Sequence, residues 1–230
     1  MNTLDNWPAP PWLAYAFGDC SQPWQPGASW RLPGRVVPPQ QVVHMQQVHG
    51  NSVAVVSAAE AGSCVPGVDA LVTAEANVFL LVRTADCLPL LLVDPAHGVV
   101  AAAHSGREGT RQNIAGECLR AMTQCFSTQP RDVLAALGPA IAACSYQVDE
   151  ATHARFMRTA LAAHPPGRLD IRAEVEQQLL HAGVLPVNIA HLPHDTRTHP
   201  RYFSWRGQQT PARQVSLIGK ITVDENNPQA

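Results

Sequence analysis

Arg83-Thr-Ala-Asp-Cys-Leu-Pro-Leu-Leu-Leu-Val-Asp94 sets one cysteine between an acid and a run of apolar residues. The run is short and is stopped by Asp94-Pro95, so it reads as a sheet strand with a tight connection. Similar short runs surround it. Val68–Thr73, Val78–Arg83 and Val99–Ala103 are rich in Val, Leu and Ala and are separated by turn residues such as Asn77, Asp86 and Gly98. Gln41–Ser57 alternates as two strands broken at His49-Gly50-Asn51, with His49 closing the first of them. A sheet-based core is expected, with Cys87 at the start of one strand and His104 at the end of another.

Helices follow the strands. Ile114, Cys118, Leu119, Met122 and Phe126 recur at the spacing of one buried helical face, and Thr110 is the expected cap. Asp132–Leu137, Val187–Ala190 and Gln214–Ile218 read as further strands. Asp149–Ala163 and Ile171–Ala182 read as helices, divided by His164-Pro-Pro-Gly167. Gln22–Gln40, thick with Pro and Gly, is the one loose segment. Residues 1–230 are thus expected to form a single catalytic domain of α/β (mixed α+β) class, mixed β-sheets flanked by helices, with a loop-rich segment over 1–40.

Composition narrows the function. Of the 230 residues, 46% are apolar, enough for a substantial core. The net charge is -2 and Lys220 is the only lysine, so the basic surface that nucleic acid requires is missing. The apolar run at Leu88–Val93 is far too short for a membrane helix, which needs about 20 residues. The start of the chain lacks the basic and apolar regions of a secretory signal, and a cytoplasmic location is expected. Six cysteines show no CxxC pair and are read mostly as small buried side chains, Cys118 and Cys125 on the core face of one helix.

Cys87 is read differently because of its neighbours in the chain. Gln47-Val-His49-Gly50 precedes it and Ala103-His104-Ser-Gly106 follows it. One thiol and two imidazoles make the donor inventory of a zinc site whose fourth position stays open. The long separations argue against a finger-type structural site, whose ligands pair locally. With ten histidines in the chain, a chance juxtaposition and a structural cysteine are the competing reading.

Six motifs in order extend the pattern: Gln47-Val-His-Gly50, Val68-Asp-Ala-Leu-Val-Thr73, Thr84-Ala-Asp-Cys-Leu-Pro89, Ala101-Ala-Ala-His-Ser-Gly106, Leu137-Gly-Pro-Ala-Ile141 and Tyr202-Phe-Ser-Trp-Arg206. Over residues 41–220 the chain resembles the multicopper polyphenol oxidase (laccase-like) family, also described as purine nucleoside phosphorylases and as a peptidoglycan editing factor. The resemblance implies a zinc ion on His49, Cys87 and His104. It also implies phosphorolysis of adenosine, inosine and methylthioadenosine, and adenosine deamination. Nucleoside and phosphate are then the partners, and the oligomeric state is left open.

A zinc ion on three protein ligands brings the pKa of bound water to about 7, which suits such chemistry. Asp86 and Asp69 are the candidate general acid/base groups, each with a structural alternative as a turn or loop-fixing residue. Gln47 is expected beside His49, where it could orient that ligand or contact substrate. Arg107, Arg206 and Arg213 are candidate substrate contacts, and Tyr202 and Phe203 are either core or a stacking surface for a purine. Two other functions stay in view. A copper polyphenol oxidase would use copper at the same donors, with Met45 as a conceivable axial ligand. A metal-free Cys87–His104 hydrolase, connected with cell-wall precursor editing, would use the thiolate as nucleophile.

The chain departs from the family at one place of consequence. Where the family reads HAGWRGT, this chain has His104-Ser-Gly-Arg107-Glu108-Gly-Thr110, so a carboxylate stands in place of an arginine. The expectation is that Glu108 repels phosphate, with Arg107 as the nearest substitute.

Overall fold

The computed structural model describes residues 1–4 and 7–222; Asp5, Asn6 and the tail from 223 onward lie outside the described residues. In chain order the strands are β1 (Leu13–Phe17), β2 (Trp30–Leu32), β3 (Arg35–Val37), β4 (Val42–Met45), β5 (Val53–Val55), β6 (Cys64–Val65) and β7 (Ala70–Thr73). They continue as β8 (Phe79–Thr84), β9 (Leu88–Asp94), β10 (Val99–Ser105), β11 (Leu134–Leu137), β12 (Ile189–His191) and β13 (Gln214–Lys220). The helices are α1 (Arg107–Arg111), α2 (Ile114–Phe126), α3 (Glu150–Met157), α4 (Ile171–His181) and α5 (Trp205–Gln208).

Two mixed sheets form the centre. One runs β12-β11-β9-β10-β7-β5 and the other β1-β13-β8-β4-β6, with β2 and β3 pairing as a separate hairpin. Side-chain alternation explains why the central strands are apolar throughout. In β9, Leu88, Leu90 and Leu92 join the cluster that includes Cys118, Leu119 and Met122 of α2 and Val175 and Leu179 of α4. Leu91 and Val93 enter the second cluster with Tyr15, Val43, Leu80 and Val82 of the other sheet. In β8, Phe79 and Leu81 turn outward to a third cluster under Trp30, Leu32 and Val37. Helices, sheet, sheet and hairpin thus stack in sequence, and both faces of β8 and β9 are removed from water.

The mixed α+β architecture matches the expectation, and particular elements differ. Leu13–Phe17 pairs with β13 as an edge strand, and the loose segment contains the β2–β3 hairpin. The helix expected from Thr110 is two helices. Thr110 is buried inside α1, its hydroxyl donating to the Gly106 carbonyl at 2.8 Å. The chain then turns at Asn113, which takes the left-handed conformation (φ 62°) and caps α2 by accepting from the Gly116 N–H. The helix expected at Asp149–Ala163 is α3, which ends at Met157, short of the expected end. Cysteine burial is also corrected: Cys118 is buried, whereas Cys125, Cys20, Cys64 and Cys144 are exposed. Met45 lies fully buried among the inter-sheet residues, away from the three donors. Among the described residues no helix is long and apolar enough to cross a membrane.

Asn113 does two jobs at that junction, adopting a backbone conformation that costs most residues about 1–2 kcal/mol and supplying the cap oxygen. Asn113→Ala should lower stability by about 1–2 kcal/mol in urea unfolding, and Asn113→Gly by clearly less. Equal losses in the two variants would show that the left-handed turn carries none of the cost.

Candidate metal centre and cavity

Antiparallel pairing of β9 with β10 places His104 opposite Pro89, so the end of β10 lies beside the loop that carries Cys87. His49 is not at the end of β4, as its place in the alternating segment suggested. It sits in the loop between β4 and β5, in the left-handed conformation with φ 61°. One donor atom from each of His49, Cys87 and His104 lies within 4.8 Å of the others. The two imidazole rings meet edge to face at 4.8 Å. His49 is exposed, Cys87 half-buried and His104 buried, so the cluster opens on the His49 side.

Asp69 organises this cluster from behind. Its Oδ1 contacts His104 Nδ1 at 2.8 Å and accepts the His49 N–H at 3.0 Å. Its Oδ2 accepts the N–H groups of Val48 (3.1 Å) and Gly50 (2.7 Å). The backbone carbonyl of the same residue accepts the His104 N–H. Asp69 is fully buried and is not among the residues that line the cavity; its carboxylate holds two imidazole-bearing segments together, as in the structural alternative to an acid/base role. Burial alone would raise its pKa, but His104 and the Gly50 and Val48 N–H groups hold it below the ordinary carboxylate value.

The thiol and the imidazole influence each other. Burial opposes ionisation of Cys87, yet His104 and His49 beside the sulfur draw its pKa down to about 6. Burial likewise opposes protonation of His104, but Cys87 and Asp69 raise it to about 9. Thiolate character is therefore favoured at Cys87, and the Asp69 contact at Nδ1 leaves His104 Nε2 for the donor cluster. Space is left as well. A Cβ built on Gly106 would stand 3.1 Å from His49 Cδ2, 3.2 Å from Cys87 Sγ and 3.5 Å from His104 Cε1. The absent side chain of Gly106 therefore leaves a cradle among the three donors. Donor chemistry, the Asp69 contact behind His104 and the cradle at Gly106 together suit a metal ion on this set.

A cavity of about 760 Å³ opens onto the donors. Asp86, Gln47, Arg107, Glu108, Arg206 and Arg213 line it together with the three donors, so most of the residues singled out from the sequence converge. Asp86 has φ 86°, an uncommon conformation for a residue with a side chain. Its carboxylate is nevertheless anchored, Oδ1 accepting from the Thr196 hydroxyl (2.8 Å) and Oδ2 from the Arg206 N–H (2.7 Å). The Gln47 amide donates to the Arg83 carbonyl (2.8 Å) and accepts the Arg83 N–H (2.9 Å), tying the His49 loop to β8.

Glu108 is also placed differently from expectation. Its carboxylate accepts from Arg111, Gln112 and Arg155, with Arg155 Nη2 at 2.9 Å, and these contacts hold it at about 2. Arg111 and Arg155 therefore offset the charge that was expected to repel phosphate.

Several cavity residues escaped the sequence reading. Trp24, Tyr146 and Trp205 form aromatic walls, and each carries a guanidinium over its ring: Arg83 over Trp24 (4.9 Å), Arg206 over Tyr146 (5.1 Å) and Arg213 over Trp205 (5.7 Å). Thr84 lines the same cavity with a hydroxyl that has no hydrogen-bond partner among the described residues. Tyr202 and Phe203 are not among the lining residues; Tyr202 is buried and its hydroxyl meets His194 Nδ1 at 2.8 Å. A Tyr-Phe pair beside a motif offered a tempting stacking surface, whereas isolated Trp24 carried no motif at all.

Known proteins resemble this arrangement over most of the chain. A purine nucleoside phosphorylase of Streptomyces coelicolor is 40% identical over 193 residues, covering 82% of this chain and 77% of that protein. Another from Corynebacterium glutamicum is 35% identical over 191 residues, covering 78% and 74%. The crystal structure of YlmD from Geobacillus stearothermophilus superposes with a TM-score of 0.75 at 32% identity, covering 81% of this chain and 76% of that one. Residues 31–220 match the family model described as multi-copper polyphenol oxidoreductase laccase, and the chain belongs to that family.

Proposed function

We propose that this protein is a zinc-dependent enzyme that cleaves purine nucleosides with phosphate, and that adenosine, inosine and methylthioadenosine are its substrate class. The observation that carries the reading is the convergence of His49, Cys87 and His104 on the wall of a cavity with aromatic shelves and guanidinium groups. Curated relatives named as purine nucleoside phosphorylases support it. His49, Cys87 and His104 would hold the zinc ion, which would supply Lewis acidity at this wall of the cavity and, for adenosine deamination, lower the pKa of water there.

The roles of the chain's own residues follow from their placement. Tyr146 and Trp205 offer faces for the purine, and Arg206 and Arg107 stand near Tyr146 to take phosphate. In phosphorolysis an oxygen of phosphate bonds to ribose C1′ as the bond from C1′ to the base nitrogen breaks, and the departing base takes up a proton. Asp86 and Glu108 both line the cavity; Glu108 is taken up by Arg111 and Arg155, and Asp86, next to Cys87, is assigned the proton transfer. The exposed, unpaired thiols of Cys20, Cys64, Cys125 and Cys144 suit a reducing compartment, which supports a cytoplasmic location.

One second reading is favoured by a specific contact. Cys87, His104 and Asp69 form a thiol, imidazole and carboxylate in hydrogen-bonded series, the order of a Cys–His nucleophile with an orienting acid. A copper oxidase would need several metal centres, and among the described residues one such donor cluster is found.

Alkylation separates the two readings. In zinc-loaded protein, Cys87 should resist iodoacetamide until a chelator is added, followed by peptide mapping because the exposed cysteines will react at once. Immediate labelling of Cys87 in protein with one zinc per chain would exclude it as a ligand. Cys87→Ala should lose the zinc and, in phosphate buffer, the release of free base from adenosine or inosine. A fully zinc-loaded wild type that releases no base would overturn the phosphorolysis.

Glu108 gives a further expectation. Because Arg111 and Arg155 already neutralise it, Glu108→Gln should change the KM for phosphate by less than about threefold, and it should cost roughly 1 kcal/mol of stability near neutral pH. Its pKa falls from 4.5 to about 2 on folding, so this contribution is complete above 4.5 and is lost as pH drops from there toward about 2. The gap between wild type and variant in urea midpoints should stay level at higher pH and close below 4.5. A gap that widens on acidification would reverse the assignment.

A further inference from the structure

The cavity holds more guanidinium than one phosphate needs. Arg107 and Arg206 flank Tyr146 on one side, and both also line a smaller pocket with Gln147 and Asp149. Arg83 and Arg213 belong to the other side. Arg83 pairs with Val215 across the β8–β13 ladder, so Arg213, two residues before Val215, is the diagonal neighbour of Arg83 on the same face of the sheet. Trp24 joins them, its N–H donating to the Arg213 carbonyl at 2.8 Å while its ring lies under the Arg83 guanidinium.

Among the described residues neither arginine has a carboxylate partner within ion-pair distance. Arg83 Nη2 donates to the Met45 carbonyl (2.9 Å), and Arg213 Nη1 donates to the carbonyls of Thr210 and Ala212 (both 2.9 Å). Burial disfavours the Arg83 charge, the nearby Cys64 favours it, and the proximity of Arg213 disfavours it again. Two like charges held together, half out of water and without a carboxylate partner, form a site complementary to an anion. The unpartnered hydroxyl of Thr84, adjacent to Arg83 and itself in the cavity wall, supplies one more polar group.

We infer that Arg83 and Arg213, against Trp24, form a second anion subsite that binds a phosphate ester carried by the substrate itself, so that a nucleoside monophosphate is preferred to the free nucleoside. The inference rests on the purine reading above for the identity of the base, but the anion subsite can be tested without it.

Equilibrium binding to the zinc-loaded full chain, with adenosine, adenosine 5′-monophosphate, ribose 5-phosphate and inorganic phosphate as probes, makes the test. The monophosphate should bind roughly tenfold or more tightly than adenosine, a difference that shrinks as salt is added. Arg213→Gln should abolish the advantage of the monophosphate over adenosine, each measured on the same variant, and Arg213→Lys should restore part of it. Unaltered zinc content and thermal unfolding of both variants establish that they are folded.

Equal binding of adenosine and its monophosphate, or an advantage that survives Arg213→Gln, overturns the subsite and leaves the purine reading standing. Loss of inorganic phosphate binding alone in Arg213→Gln also overturns it, since the pair then serves the co-substrate. Arg213-dependent binding of ribose 5-phosphate, with no binding of adenosine, keeps the subsite and removes the purine reading.

Discussion

The Asp69 carboxylate is the contact on which the donor cluster depends. It stands at the entry to β7, where the chain leaves one loop for the sheet, and reaches backward to three successive N–H groups and sideways to His104. The N–H contacts hold the His49 loop, which makes no strand of its own there, while the imidazole contact fixes which nitrogen of His104 is free. A buried charge of this kind is tolerable only because hydrogen bonds satisfy it on both oxygens. The same four contacts that offset its burial also define the geometry around Cys87.

The layered core determines where such a cluster can stand. Strands β8, β9 and β10 are covered on both faces, and Leu90, Leu91, Leu80 and Leu81 fill the layers almost wholly with apolar side chains. Polar chemistry is displaced to the strand ends. There Cys87 precedes β9, His104 comes near the finish of β10 and Arg83 near the finish of β8. A glycine at position 106 keeps that rim open among the donors, and the left-handed turns at His49 and Asp86 aim the chain into it.

Much of this was legible in the sequence, for a physical reason. Strands buried on both faces write themselves as unbroken Leu and Val runs, so β7 to β10 stood out, and the residues at their ends could be assigned to one rim. The edge strand Leu13–Phe17 and the hairpin of Trp30–Val37 were less visible because short segments among Pro and Gly carry little periodicity. The junction at Asn113 was missed since a left-handed residue and a helix interior share the same polar letters. The surroundings of Asp69 and Glu108 were illegible for another reason. Their side chains meet partners remote in sequence or on a separate helix, and charge alone does not tell whether a carboxylate faces a ligand or a neighbouring arginine.

Trp24 lies before the stretch shared with the family, which begins at residue 31, and yet it forms a wall of the cavity. The donor set and the wall therefore have separate addresses in the chain. The three donors come from the stretch that the family model covers, while one wall of the chamber comes from a segment ahead of it. A change confined to the opening segment can therefore repaper one side of the chamber and leave the donors in place.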